Sequence, residues 1–118
     1  MATATGGSPP WYLESRLTLS NTAAVTAMTI TVVVQRTPGI TFNGMYNTVG
    51  AFAQSHTGNS NPATITYTWT LSGTMGTGTG RLFVAQTNGT GTPHPSSGDR
   101  WTVTYTVGGQ GFTQNGTF

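Results

Sequence analysis

The sequence contains no cysteine, no lysine and few charged residues of any kind. Of its 118 residues, four are Arg and two are Asp or Glu, so 5% of the chain is charged. An ordinary globular domain is about a quarter charged. Without cysteine, a disulfide scaffold and a thiolate metal site are excluded. Four scattered Arg cannot neutralise a row of phosphates, so nucleic acid is excluded as a partner.

Long hydrophobic runs are also missing. The uninterrupted apolar runs, such as residues 32–34, are a few residues long. A membrane-spanning helix needs about 20 apolar residues, so no membrane partner is expected. The apolar fraction of 35%, with 3 Trp, 4 Tyr and 5 Phe, is too high for a disordered chain. The length fits a single domain with one core.

Threonine and glycine dominate what is present, with 26 Thr and 17 Gly. The branched Cβ of Thr suits a pleated strand better than a helix. Apolar and polar residues alternate strictly in several segments, which is typical of half-buried strands. Strands are predicted at residues 12–19, 27–35, 40–42, 45–53, 64–71, 81–86, 101–107 and 111–118. The chain is therefore expected to be all-β, an antiparallel β-sandwich of about eight short strands.

Turn residues set the expected connections, and the alternation sets the expected core. Asn43-Gly44 is predicted to be a hairpin turn and Gly108-Gly109 another, because these residues accept positive φ. Residues 1–10 are expected to be a linker or an expression remnant, and residues 11–118 the folded domain. The predicted core residues are Leu17, Leu19, Ile30, Val32, Val34, Ile65, Tyr67, Leu71, Leu82, Val84, Val103 and Tyr105.

The two carboxylates offer little for catalysis. Glycoside hydrolysis needs two carboxylates that flank one bond. Glu14 falls on the first strand and Asp99 at the end of a long loop, where Gly98-Asp99 is typical of a turn. No catalytic residue is expected, and the domain is not expected to be an enzyme.

The two histidines lie in loops rich in Gly or Pro and are expected to be solvated. Ser96, Ser97 and Asp99 lie too close in sequence to His94 to be interpreted as a Ser–His–Asp triad with it. No cofactor and no metal are expected. A calcium site built from backbone carbonyls and one acid is left open, but nothing indicates one.

The aromatic residues are the best candidates for binding. Sugar rings present apolar C–H faces that stack on flat aromatic rings, and amides or Arg bind their hydroxyls. The stacking candidates are Trp11, Tyr46 and Trp101, with Trp69 in reserve. The candidate hydrogen-bonding residues are Asn43, Asn47, Gln54, Gln86 and Arg100. For each of them, packing or loop structure is the alternative interpretation.

Four stretches resemble the strands of bacterial cellulose- and β-glucan-binding modules. They are residues 17–22 (LTLSNT), 30–34 (ITVVV), 67–71 (YTWTL) and 98–105 (GDRWTVTY). The resemblance covers most of residues 11–118 and lies in the composition and organisation of the strands, not in a diagnostic motif. Such modules are β-sandwiches joined by linkers to secreted cellulases. The commonest such family (family 2) has a Cys near each end, which this chain lacks, so that family's planar binding triad is not transferred to numbered residues.

The resemblance implies a non-catalytic module that binds β-1,4-glucan, including xyloglucan or mixed-linkage glucan. It also implies a secreted bacterial protein with a covalently attached glycoside hydrolase domain, and we expect a monomer. The alternative is a structural or adhesive β-sandwich of a cell-surface, pilus or phage protein. The Thr-rich strands carry no Lys, a residue that on edge strands prevents pairing with other chains. This absence favours the alternative.

Overall fold

The fold consists of nine β-strands in two sheets. The computed structural model describes residues 2–5, 12–37, 39–89, 94 and 98–118. The strands are β1 (Ala2–Thr5), β2 (Tyr12–Asn21), β3 (Ala27–Gln35), β4 (Thr41–Asn47), β5 (Phe52–His56), β6 (Thr64–Leu71), β7 (Gly78–Asn88), β8 (Arg100–Val107) and β9 (Gln110–Thr117). In the part of the chain that the structure describes, no helix has the length and apolarity to cross a bilayer.

The two sheets pack face to face. One has four strands in the order β1-β2-β7-β4, and the other has five in the order β5-β6-β3-β8-β9. Every paired strand is antiparallel to its neighbour. This confirms the predicted antiparallel β-sandwich, in which the inner faces of both sheets form one core.

The first strand lies where a linker was expected. Ala2–Thr5 pairs with β2, with Ala2 opposite Leu19 and Thr5 opposite Arg16. Ala2 and Ala4 pack against the core. The prediction that residues 1–10 are a linker is therefore wrong for residues 2–5, while residues 6–10 lie outside the described residues. Four alternating Ala and Thr residues were enough for a short edge strand once β2 supplied a partner.

Strict alternation fixes which side chains are buried. In β6 the inward residues Ile65, Tyr67, Trp69 and Leu71 are all buried, and the outward residues are Thr. Ten of the twelve predicted core residues are buried, nine of them by the same inward alternation and Val84 on the outer face of β7. They are Leu17, Leu19, Ile30, Val32, Val34, Ile65, Tyr67, Leu71, Val84 and Val103.

Two core predictions are wrong, and both have a local cause. In β7 the residues that face the core are Phe83, Ala85 and Thr87, so Leu82 lies on the outer face and is half-buried. Val84 is also on the outer face, where Arg16 and Tyr46 flank it on the neighbouring strands. Tyr105 is half-buried, because it lies near one open end of the sandwich.

The Asn43-Gly44 pair does not form a hairpin turn. Both sides of it pair with β7, and the register shifts by one residue between Phe42 and Gly44, which is a β-bulge. Neither residue has a positive φ. By contrast, Gly108 and Gly109 both have positive φ, at 58° and 79°, and form the two-residue turn between β8 and β9 as predicted.

The outer face of the five-stranded sheet carries Thr in rows. One row runs Ala53–Thr70–Thr29–Thr104–Thr113 and the next Ser55–Thr68–Thr31–Thr102–Asn115. Neighbours within a row are about 4.8 Å apart, and rows are about 6.8 Å apart along the strands. Arg100 is the charged residue among the strand residues described on this face.

Gly116 of β9 is predicted to be required for the packing of Trp101. A Cβ at residue 116 would lie 3.0 Å from the indole ring of Trp101, so Gly116→Val should displace the ring and cost about 1–3 kcal/mol of unfolding free energy. Gly111→Val is the matched control, because nothing lies within 4 Å of its Cβ position on the same strand. Urea unfolding measures both. Equal midpoints for the two variants would contradict this packing.

Candidate binding site

The outer face of the four-stranded sheet brings two exposed tyrosines together. Tyr12 on β2 is 37% exposed and Tyr46 on β4 is 36% exposed. β7 lies between these strands. We call this surface the Tyr12–Tyr46 face. Its residues are Tyr12, Glu14, Arg16, Thr41, Gly44, Tyr46, Val84, Gln86 and Asn88.

The register arranges this face in three rows across the strands. Arg16, Val84 and Tyr46 form the first row; Glu14, Gln86 and Gly44 the second; and Tyr12, Asn88 and Thr41 the third. On an ideal sheet, two strand spacings and four residues of rise separate the Tyr12 and Tyr46 backbones by on the order of 16 Å. The two rings therefore lie diagonally across a polar strip, an arrangement that fits an elongated ligand.

Hydrogen bonds hold the polar strip in place. The Tyr12 hydroxyl donates to Glu14 Oε2 at 2.8 Å, and Gln86 Nε2 donates to the Tyr12 hydroxyl at 2.7 Å. Arg16 Nε and Nη2 donate to Glu14 Oε1 at 3.0 and 2.6 Å. Arg16 and Tyr12 hold the pKa of Glu14 below its usual range, so Glu14 is ionised and paired at neutral pH.

The pKa of Tyr12 is raised above its ordinary value by partial burial and by Glu14. The hydroxyl thus stays protonated and donates to the carboxylate. The site as a whole carries one positive and one negative charge in direct contact. Its net charge is zero, which suits a neutral ligand better than an ionic one.

Three of the predicted binding residues lie on or beside this face. Tyr46 and Gln86 are part of it, and Asn43 borders it at the bulge, where Nδ2 donates to Asn88 Oδ1 at 2.8 Å. The absence of a side chain at Gly44 leaves room for Gln86, since a Cβ there would be 2.7 Å from Gln86 Oε1. Tyr12 was not predicted to be a binding residue. The alternation in β2 could have indicated it, because it places Tyr12 on the face opposite the buried leucines.

Two of the three predicted Trp residues, Trp69 and Trp101, are buried and do not offer rings to a ligand. Trp69 is 0% exposed, and its ring packs edge-on against Phe83 with centroids 5.8 Å apart. Trp101 is 8% exposed and lies under Gly116. The prediction that these two residues stack on a ligand is wrong. Both belong to the core, because they lie on the apolar faces of their strands, which point inward. Trp11 lies outside the described residues.

The remaining predicted residues are dispersed. Asn47 Nδ2 donates to Gln54 Oε1 at 2.8 Å, and that oxygen also accepts from Trp69 Nε1 at 3.1 Å. This group joins an edge of one sheet to an edge of the other and satisfies the buried indole. Arg100 is exposed on the Thr-covered face of the other sheet, away from the tyrosines.

A buried polar cluster lies where solvated loops were expected. His94 and Asp99 are each 1% exposed, and His94 Nε2 lies 2.6 Å from Asp99 Oδ2. Thr37 Oγ1 lies 2.8 Å from His94 Nδ1, and the backbone N–H of Gln35 donates to Asp99 Oδ1 at 2.8 Å. The prediction of a solvated His94 is wrong. His56 is exposed, and its ring stacks on Phe42 with centroids 3.9 Å apart.

The cluster has the connectivity of a hydrolase triad, with hydroxyl, imidazole and carboxylate in line. It lacks access, because the imidazole and the carboxylate are buried. Its bonds instead attach the end of β3 to the segment that precedes β8. Burial raises the pKa of Asp99, while the Gln35 N–H and His94 oppose that shift. Among the described residues, no group of three or more His, Cys, Asp or Glu could hold a metal ion.

A solved structure has the same fold. A cohesin module of a family 33 glycoside hydrolase from Clostridium perfringens matches with a TM-score of 0.59 at 11% sequence identity, over 98% of this chain and 92% of that chain. No protein-family model and no curated protein match the sequence. The class that the structure defines is therefore a β-sandwich with a cohesin-like fold, and at this identity the likeness extends to the fold alone.

We predict that His94→Ala destabilises the protein by about 3–5 kcal/mol near pH 7, because it leaves the buried Asp99 without its partner. Loss of His94 should raise the pKa of Asp99 further. A carboxyl with a higher pKa in the folded state contributes stability below its unfolded pKa, and that contribution is lost as pH rises through the folded pKa. The cost should therefore shrink at about pH 4.

Urea unfolding at both pH values measures this effect, and NMR titration of the Asp99 carboxyl carbon measures its pKa. His56→Ala is the control for loss of an imidazole at the surface, with an expected cost of about 1 kcal/mol or less. If His94→Ala lowers the free energy of unfolding no more than the control does, the buried His94–Asp99 pair does not stabilise the fold.

Proposed function

We propose that this domain is a non-catalytic carbohydrate-binding module that binds β-1,4-glucan through the Tyr12–Tyr46 face. The observation that carries the proposal is the pair of exposed tyrosines on one sheet surface with amide and charged groups between them. Exposed aromatics in a polar surrounding mark binding surfaces. Two rings spaced along one face of a sheet favour an extended polymer over a short soluble chain.

The chemistry of the face suits a glucan. The equatorial hydroxyls of β-1,4-glucan leave apolar C–H faces above and below each ring, and those faces stack on Tyr rings. Gln86, Asn88 and the Glu14–Arg16 pair supply donors and acceptors for the hydroxyls between the two rings. Since Glu14 and Arg16 neutralise each other, the ligand needs no charge to bind.

The fold is compatible with this role. The solved cohesin module with the same fold is part of a glycoside hydrolase. By analogy, this chain would be an accessory domain of a secreted bacterial glycoside hydrolase and would raise the local concentration of the catalytic domain on its polymer. The buried state of the His94–Asp99 pair supports a domain without catalysis of its own.

We predict that Tyr12→Ala and Tyr46→Ala each weaken binding to microcrystalline cellulose about tenfold, because each removes one stacking ring. Pull-down on cellulose measures the affinity. Affinity electrophoresis in hydroxyethyl cellulose, xyloglucan and mixed-linkage β-glucan gels compares the ligands. His56→Ala is the control, since it removes an exposed aromatic ring on β5 of the other sheet.

The proposal fails if the unmodified domain is retained on none of these polymers. It also fails if both Tyr variants bind as tightly as the unmodified domain while urea unfolding shows that all are folded. A structural or adhesive domain is the second candidate, favoured by the long Thr-covered strands of the five-stranded sheet. Light scattering at high protein concentration separates the two, because an assembly module should associate and a binding module should stay monomeric.

A further inference from the structure

The two tyrosines of the Tyr12–Tyr46 face differ in how their hydroxyl groups are held. The Tyr12 hydroxyl donates to Glu14 Oε2 at 2.8 Å and accepts from Gln86 Nε2 at 2.7 Å. Among the described residues, none forms a hydrogen bond with the Tyr46 hydroxyl. Since a phenol has one proton to donate, the Tyr12 hydroxyl cannot donate to a ligand without losing Glu14. Tyr12 therefore offers a ligand its ring, which two hydrogen bonds hold in one orientation.

The Gln86 side chain has one orientation that suits its neighbours. Both groups near its Nε2 atom are acceptors: the Tyr12 hydroxyl oxygen, whose proton is directed to Glu14, and Glu14 Oε2 at 3.5 Å. A flipped amide would place Gln86 Oε1 against these two oxygens, so the NH₂ group must lie there. The backbone of Gln86 is fixed from the core side, because its carbonyl accepts from the Tyr67 hydroxyl at 2.6 Å. Oε1 is then the side-chain atom that Gln86 can still offer to a ligand.

Gly44 on the neighbouring strand leaves the space that this amide occupies. It lies opposite Gln86 across β4 and β7, and a Cβ at residue 44 would be 2.7 Å from Gln86 Oε1. The φ of Gly44 is not in the positive range, so its backbone conformation is open to other residues. The lack of a side chain at residue 44 is therefore required by the Gln86 amide and not by the backbone.

We propose that Gln86 is a positioning residue, which holds the Tyr12 ring in the orientation that stacks on a sugar, and that Gly44 keeps Gln86 in place. The inference rests on the proposed function for its ligand, a β-1,4-glucan. It deepens that function by giving Gln86 a role through Tyr12. A side chain that is ordered before the ligand arrives reduces the entropy cost of binding.

The first test needs no sugar and measures the pKa of Tyr12 by NMR titration of ¹³C-labelled tyrosine. The Gln86 N–H stabilises the phenolate form of Tyr12, so Gln86→Ala should raise the pKa of Tyr12 further. Gly44→Ala should also raise it, because the new methyl group displaces the amide. Gln114→Ala is the matched control, since Gln114 Nε2 donates to the Tyr105 hydroxyl at 3.3 Å on the other sheet. An unchanged pKa of Tyr12 in both test variants would overturn the proposal.

The second test measures retention on microcrystalline cellulose. Gln86→Ala should weaken binding about two- to tenfold, the range expected for the ordering of one side chain. Gln114→Ala should bind as the unmodified domain does. Gln86→Ala made in the Tyr12→Ala variant should have little further effect, because the ring that Gln86 holds is gone. Gly44→Ala should weaken binding in the unmodified domain but not in the Gln86→Ala variant, where no amide remains to be displaced.

The double variants distinguish positioning from direct contact. If Gln86→Ala weakens binding equally with and without the Tyr12 ring, Gln86 contacts the ligand itself and the proposal is wrong. If Gly44→Ala weakens binding equally with and without the Gln86 side chain, its methyl group obstructs the ligand directly, and the role given to Gly44 is wrong.

Urea unfolding checks that each variant is folded. Gly44→Ala removes no polar group, so it tests the proposal even if Gln86→Ala does not fold. If the unmodified domain is retained on no glucan, the proposed function fails. The pKa of Tyr12 then decides by itself whether Gln86 holds the ring, so the two failures are distinguishable.

Discussion

The packing of Tyr67, Trp69 and Phe83 between the two sheets is the interaction on which the rest of the structure depends. The three residues are 0% exposed, and Tyr67 and Trp69 are neighbours on the inner face of β6. The polar end of Tyr67 reaches β7 of the opposite sheet, and that of Trp69 reaches the edge strand β5 of its own sheet. The Tyr67 hydroxyl donates to the Gln86 carbonyl at 2.6 Å, and Trp69 Nε1 donates to Gln54, which also bonds Asn47. These contacts fix the separation of the sheets and determine which residues of β7 face the core.

The orientation of the side chains of β7 connects the core to the candidate site. Because Phe83 faces inward, Val84 and Gln86 face outward, between the strands of Tyr12 and Tyr46. Gln86 takes part in both regions, since its carbonyl accepts from the buried Tyr67 and its side chain donates to the Tyr12 hydroxyl. The desolvation that raises the pKa of Tyr67 keeps that hydroxyl protonated, so it remains a donor to β7.

The alternation of the sequence was sufficient to predict the sandwich and most of the core, because a two-residue period assigns each side chain to one face. It was not sufficient where burial depends on partners distant in sequence. Val84 is buried from the outer face by neighbours on β2 and β4, and Trp101 is covered across β9 by Gly116. His94 and Asp99 bond to each other and to the end of β3, a contact between segments distant in sequence that no local pattern encodes.

The candidate binding surface was predicted in part for the same reason. Tyr46 and Gln86 are distant in sequence from Tyr12, and only the strand order β2-β7-β4 places them together. Trp69 and Trp101 were wrongly predicted to be binding residues, since Trp is apolar enough to be buried in the core when it lies on the inward face of its strand. The shared fold with a cohesin module does not resolve such questions, because function depends on the surface residues and not on the sandwich.

The Thr rows on the five-stranded sheet have a consequence for the conditions in which the domain works. Their hydroxyls do not ionise between strongly acidic and strongly basic solution, and the face carries one Arg among its described strand residues. Counter-ions screen charges and leave neutral hydroxyls unaffected. The hydration of this face should therefore change little with pH, and the screening of charges by salt should leave it nearly unaffected.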